Sequence, residues 1–381
     1  MGEIIVVKIG SSSLTTENGA LSCEQVNFFA DELAALQHAG HDVVLITSGS
    51  IAAGFAKIGY GARPKQFHQR QASASVGQTL LMQTYYEAFS RHKIGIGQIL
   101  LTPNDFARYE GLTGAKRTID ELLSHKFIPI INENDTVSCY VTELKEIDVP
   151  EAKFADNDNL AALVAILIGA SQMVIITDTD GLYTADPRHD PNAKRIERVD
   201  AITDDVLELA GGAGSAVGTG GMYSKIVAAK KAVMGGVSVF IGKADSAGDV
   251  SAAVAGTGRG TYFPTDEQNL KLRKQWLGFH SPIKGQIIVD EGAADALTHN
   301  GKSLLPAGVV AVRGDFLAGD VVEVTDLCGK IVGRGRVNYS LAQVCNIAGL
   351  STAVALRKLE KGHGAAPKPE VIHRDYWLSL L

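Results

Sequence analysis

The sequence is short of the residues that staple, interrupt or anchor a chain. It has four cysteines in 381 residues, Cys23, Cys139, Cys328 and Cys345, with no CxxC pair and no histidine cluster beside them. That spacing argues against a zinc site and against a disulfide framework, and favours reduced thiols in a cytoplasmic protein. Prolines number 11, and low-complexity tracts and internal repeats are missing. With 45% hydrophobic residues the chain is therefore not a disordered one, and it is long enough to bury two or three separate cores. Long apolar runs are missing too. The longest, from Leu160 to Ala170, is too short to span a bilayer and stops at Ser171-Gln172, so no membrane association is expected. No basic leader precedes Ile4, so no targeting segment is expected either. Positive charge is not in excess: the formal net charge is -6, a poor match for a protein that grips nucleic acid through its phosphates.

The common nucleotide fingerprints are also absent. Gly301-Lys302-Ser303 looks like the end of a P-loop, but Ala296 stands where its first glycine is needed, and Gly242-Lys243 is followed by Ala244. Gly256 and Gly258 begin a dinucleotide pattern whose third glycine is replaced by Thr261. A P-loop NTPase and a Rossmann oxidoreductase are both unsupported.

What is present, from residue 3 to about 262, is an alternation of short β-branched runs with longer helical stretches, the pattern of a mostly parallel sheet covered by helices. Strands are expected at Ile4–Lys8, Val43–Ile46, Gly97–Leu101, Ile128–Ile131, Val174–Thr177 and Val237–Ile241, with helices starting near Ser22, Gln69, Ala115, Asn157 and Thr219. A polar stretch over 263–283 reads as a linker. Beyond it, Gln286–Asp290, Val309–Arg313, Val321–Thr325, Ile331–Arg336 and Thr352–Leu356 read as short strands between glycines, which favours a small β-barrel or sandwich.

Four segments fall where strands end or helices begin, the places where open α/β sheets bind ligands. In Val6-Val7-Lys8-Ile9-Gly10-Ser11-Ser12 a lysine closes an apolar strand before a Gly/Ser turn, an unusual place for a charge unless it meets an anion. In Thr47-Ser48-Gly49-Ser50 small residues let a ligand approach the backbone, and Ser48 can hydrogen-bond a carboxylate, although an ordinary tight turn has the same composition. Asn132-Glu133-Asn134-Asp135 and Asp156-Asn157-Asp158-Asn159 each join Asn and Asp to an apolar element. An N-cap explains one such residue but not two clusters, and together they suit a zwitterionic amino acid. Finally, Thr177-Asp178-Thr179-Asp180-Gly181 leaves a buried strand, and Gly218 through Ser224 is a glycine loop that runs into a helix carrying Lys225 in its first turn. A lysine there opposes the helix dipole but suits a polyphosphate.

These segments, in this order, resemble those of the glutamate 5-kinases, as do Val76-Gly77-Gln78, Gln98 through Thr102 and Ser303-Leu304-Leu305-Pro306. The resemblance covers nearly the whole chain. It implies an α/β fold, an αβα sandwich with a mostly parallel sheet over 1–262, then the linker, a small β-barrel-like PUA domain over 284–362 and a C-terminal tail over 363–381. It implies transfer of the γ-phosphoryl group of ATP, with Mg²⁺, to the side-chain carboxylate of L-glutamate, the first step of proline biosynthesis. L-Proline is the implied inhibitor, glutamyl phosphate reductase a candidate partner, and a homo-oligomer the implied assembly. Carried over by position, Lys8, Asp158 and Lys225 are the catalytic set and Ser48, Asp135 and Asn157 the glutamate site. Lys8, Gly10, Thr177, Asp178, Thr219, Gly220, Gly221, Met222, Tyr223, Ser224 and Lys225 are the ATP site, and no residue is assigned to metal.

One departure is the stretch from Asp135 to Asp156, longer than the family's usual loop. Two rival readings stay open: a related kinase acting on N-acetylglutamate or aspartate, and an RNA-binding protein with a vestigial kinase domain. Against the second, residues 281–365 carry nine Lys or Arg against eight Asp or Glu, too even a balance for a strong RNA footprint.

Overall fold

Strands form where β-branched and apolar residues run together, and in the first part of the chain they lie side by side. In a computed structural model, which describes residues 2–107, 109–137, 157–187, 189–190, 192–211, 221–265, 281–359 and 367–380, seven strands make one sheet. They are Ile4–Ile9 (β1), Asp42–Ile46 (β2), Ile96–Leu101 (β3), Ile128–Glu133 (β4), Gln172–Ile176 (β5), Ser238–Gly242 (β6) and Gly260–Phe263 (β7), in the order β3-β4-β2-β1-β5-β6-β7. Neighbours are parallel except β7, which runs antiparallel to β6. This last strand, only Gly-Thr-Tyr-Phe, has too short a hydrophobic run to be read from sequence.

Side chains alternate across the sheet. Ile5, Val7 and Ile9 join Phe29, Leu33, Tyr85 and Phe89 from the helices Cys23–His38 and Phe67–Ser90 in one core. Lys8, at an intervening position, turns to the opposite face, where the helices Asn157–Ile168 and Met222–Met234 lie. The sandwich is therefore αβα, as expected. Ten of the twelve residues of Asn157–Ile168 are buried, because this helix packs over β1, β2, β4 and β5 and against Met222–Met234. A helix apolar on every side is a core helix. Among the described residues no helix is long and apolar enough to cross a membrane.

The chain divides into two compact units, 1–105 with 110–270, and 106–109 with 271–381. Residues 266–280, most of the expected linker, lie outside the described residues. The second unit is built on a five-stranded sheet of Ile283–Val289 (β8), Val309–Gly314 (β9), Val321–Thr325 (β10), Ile331–Val337 (β11) and Ile372–Ser379 (β12), in the order β12-β11-β10-β8-β9. Only β8 and β10 pair in parallel. An isolated antiparallel bridge from Leu304 to Ile372 ties the chain before β9 to the far edge strand, giving the sheet its barrel-like closure.

Two expectations are corrected here. Thr352–Leu356 is not a strand but the start of the helix Thr352–Leu359, which buries Ala355. Ile372–Ser379, placed in a tail, is the strand β12: it pairs with β11, and Trp377 is buried with its indole Nε1 donating to the Leu297 carbonyl at 3.1 Å.

Candidate active site

In a parallel sheet the strand ends all face one way, and a crevice opens where the strand order reverses. Here the chain builds outward from β1 through β2 to β4 and β3, then returns to place β5 on the other side of β1. The switch point is between β1 and β5. A cleft of about 700 Å³ opens beside it, lined by Lys8, Gly10, Ser48, Asp135, Asn157, Asp158 and Lys225 among others. Seven of the residues expected from sequence are thus brought together from five separate segments.

The charged centre is a triad. Asp158, 1% exposed, lies with Oδ1 2.5 Å from the Lys8 ammonium and Oδ2 3.2 Å from the Lys225 ammonium. Both lysines are buried. Burying an ion is costly unless it is paired, and one carboxylate between two ammonium groups leaves the group with one positive charge in excess at the cleft. Lys8 reaches the triad from the end of β1, Asp158 and Lys225 from the first turns of their helices.

Beside the triad is an amide network. The Asn157 amide nitrogen donates to the Thr47 carbonyl at 2.8 Å, to Ser48 Oγ at 2.7 Å and to Asn132 Oδ1 at 3.0 Å. Ser48 sits in the turn after β2, where Gly49 has φ 106°, a left-handed backbone that glycine alone adopts without strain. Further along, Asp135 accepts a hydrogen bond from Ser50 Oγ at 2.9 Å. Burial raises the Asp135 pKa above its ordinary value, against the opposing effects of Ser50 and of the guanidinium groups of Arg70 and Arg63.

The expected nucleotide residues are placed less completely. Thr177 follows the last residue of β5 and its hydroxyl donates to Asp178 Oδ1 at 3.1 Å, beside the switch point but outside the lining of the cleft. Gly221 caps the helix that carries Met222, Tyr223, Ser224 and Lys225, and of these only Lys225 lines the cleft. Thr219 and Gly220 lie outside the described residues, as do 138–156 of the long loop. The loop after Asp178 is organised by Asp180: burial pushes its pKa up, but hydrogen bonds from Tyr183 and Arg259 outweigh that and hold it below its ordinary value.

Sequence reasoning missed Arg63, Lys65 and Arg70, and it gave no role to Ser50 and Asn132 although both stand in segments it singled out; all five line the cleft. Arg63-Pro64-Lys65, a cationic run beside the turn that ends the Ser50–Ile58 helix, was the available signal.

A family model described as "Amino acid kinase family" matches residues 3–243, and one described as "PUA domain" matches residues 285–366. Over 378 residues the chain is 46% identical to "Glutamate 5-kinase" of Geobacillus kaustophilus, covering 99% of this chain and 97% of that one. It is also 46% identical to "Glutamate 5-kinase 1" of Bacillus licheniformis, covering 99% and 98%. The chain belongs to the glutamate 5-kinase family. A likeness to the solved structure "Carbamate kinase from Giardia lamblia bound to AMP-PNP" has a TM-score of 0.49 and 16% identity, over 70% of this chain and 99% of that one. In this member of the glutamate 5-kinases, the residues drawn from the family for catalysis and for substrate share one cleft.

Proposed function

We propose that this glutamate 5-kinase family member moves the γ-phosphoryl group of ATP onto the side-chain carboxylate of L-glutamate, giving L-glutamyl 5-phosphate for proline biosynthesis. The observation that carries the proposal is the buried triad, one aspartate holding two lysines at the mouth of an amide-lined cleft. A carboxylate nucleophile is already ionised at neutral pH and needs no general base. The obstacle is repulsion between two anions, so catalysis rests on positioning and on fixed positive charge.

In this reading Asp135 answers the substrate ammonium group, and Ser48 and Asn157 hold the amino acid so that its far carboxylate points at Lys8 and Lys225. Asp158 keeps the two ammonium groups in place before substrate arrives. The backbone of Gly10 through Ser12 and the ends of β5 and of the Met222–Met234 helix take the nucleotide. Mg²⁺ prefers phosphate oxygens and water with one or two carboxylates, and it would neutralise phosphate charge alongside the lysines. L-Proline also pairs an α-carboxylate with a positively charged α-nitrogen, here a secondary ring ammonium, but has no side-chain carboxylate, so it would occupy the Asp135 end and inhibit by competition.

The test is ATP turnover with glutamate, aspartate and N-acetylglutamate in parallel, the acyl phosphate being trapped as a hydroxamate. Hydroxamate is expected from glutamate. Product formed only from aspartate or N-acetylglutamate would refute the assignment.

A further inference from the structure

Asn157 has a fixed orientation. The Thr47 carbonyl can only accept, so the Asn157 nitrogen must face it and the Asn157 oxygen must face away. Asn132 is fixed by the same logic: its Oδ1 accepts from the Glu133 backbone N–H at 2.9 Å as well as from Asn157 at 3.0 Å, which turns its own amide nitrogen the other way. That nitrogen donates to Gln78 Oε1 at 3.1 Å. Asn132 is 2% exposed, so without Gln78 it would hold a buried donor with no partner and would gain by rotating out of the network.

Gln78 itself is a poor choice on structural grounds. Among the described residues its buried Nε2 has no hydrogen-bond partner, a cost that an apolar side chain of similar length would avoid. It comes from the Phe67–Ser90 helix, 54 residues before Asn132, and does not line the cleft.

We infer that Gln78 is a positioning residue for the amino-acid substrate: through Asn132 it locks the amide of Asn157 in the orientation that the substrate meets. The inference rests on the placement of Asn157 in the substrate site.

The experiment is steady-state kinetics and thermal melting of Gln78→Met, Asn132→Leu, the double variant and Asn157→Ala. Losing one hydrogen bond of this kind predicts that Gln78→Met raises KM for glutamate about fivefold and leaves KM for ATP within about twofold. Its Tm should stay close to the wild-type value, since the swap removes the unpartnered Gln78 donor but leaves the Asn132 donor without its acceptor. In the Asn132→Leu background the same swap should change KM for glutamate by less than about twofold, because the relay is already broken. An unchanged KM for glutamate in Gln78→Met, or the same factor in both backgrounds, overturns the inference. A lower Tm with both KM values raised alike also overturns it, since that is ordinary loss of packing. Asn157→Ala separates the two levels: a raised KM there with an unchanged KM in Gln78→Met sinks the relay alone, whereas an unchanged KM in Asn157→Ala sinks the site assignment and the relay with it.

Discussion

Asp158 has one negative charge to share between Lys8 and Lys225, and the excess positive charge is useful only when anions meet in the cleft. Lys8→Ala and Lys225→Ala should each lower kcat by about 10²–10³-fold, the usual effect of removing one transition-state partner, with a much smaller change in KM for glutamate. Steady-state kinetics on both variants checks this, and a change in KM alone would move the lysine to ground-state binding. Asp135 makes a second prediction. Its pKa is raised chiefly by burial, so between the unfolded and folded values the folded chain binds more protons, and stability falls as pH rises through that window. At neutral pH Asp135→Asn should therefore raise Tm while raising KM for glutamate, because the carboxylate that answers the ammonium group is lost. In the wild-type chain KM for glutamate should climb on acidification, starting at higher pH than an ordinary aspartate would cause. Lys8 and Asp158 were legible in the sequence because a charge set among apolar residues needs a partner. Gln78 was not, because its meaning lies in a hydrogen bond to a residue 54 positions away.

At the scale of elements, the helices Ser50–Ile58 and Phe67–Ser90 cross backbone to backbone. A Cβ on Gly77 would lie 1.7 Å from the Ser50 carbonyl oxygen, and one on Gly54 would lie 1.9 Å from the Ser73 carbonyl oxygen. This crossing sets Ser50 against Asp135 and brings Gln78 to Asn132. Gly77→Ala should cost about 1–3 kcal/mol of stability through overpacking and should weaken glutamate binding, as denaturant melts and KM will show. Local pattern misled at Thr352, where Thr, Val and Leu read as a strand. In the structure the segment follows Gly349 at φ 73°, which turns the chain, and its residues pack by helical spacing so that Ala355 faces the core. Short apolar runs carry no period of their own, and only the neighbour they pack on distinguishes the two.

For the whole molecule, the order of strands carries the function. Lys8 and Ile175 are register partners across β1 and β5, and β2 and then β4 lie on the other side of β1, so residues from Lys8 to Lys225 open on one cleft. The second unit has its own buried cluster from Ile287 to Trp377, and the residues lining the cleft all come from the first. The α/β alternation, most strand positions and the chemical types at the strand ends were readable along the chain, since hydrophobic period and isolated charge are local properties. The pairing of Lys8 and Lys225 on one carboxylate, the joining of Ile372–Ser379 to the second sheet and the relay from Gln78 were not. Each depends on which distant segments pack together, and burial then determines what a polar group must find as its partner.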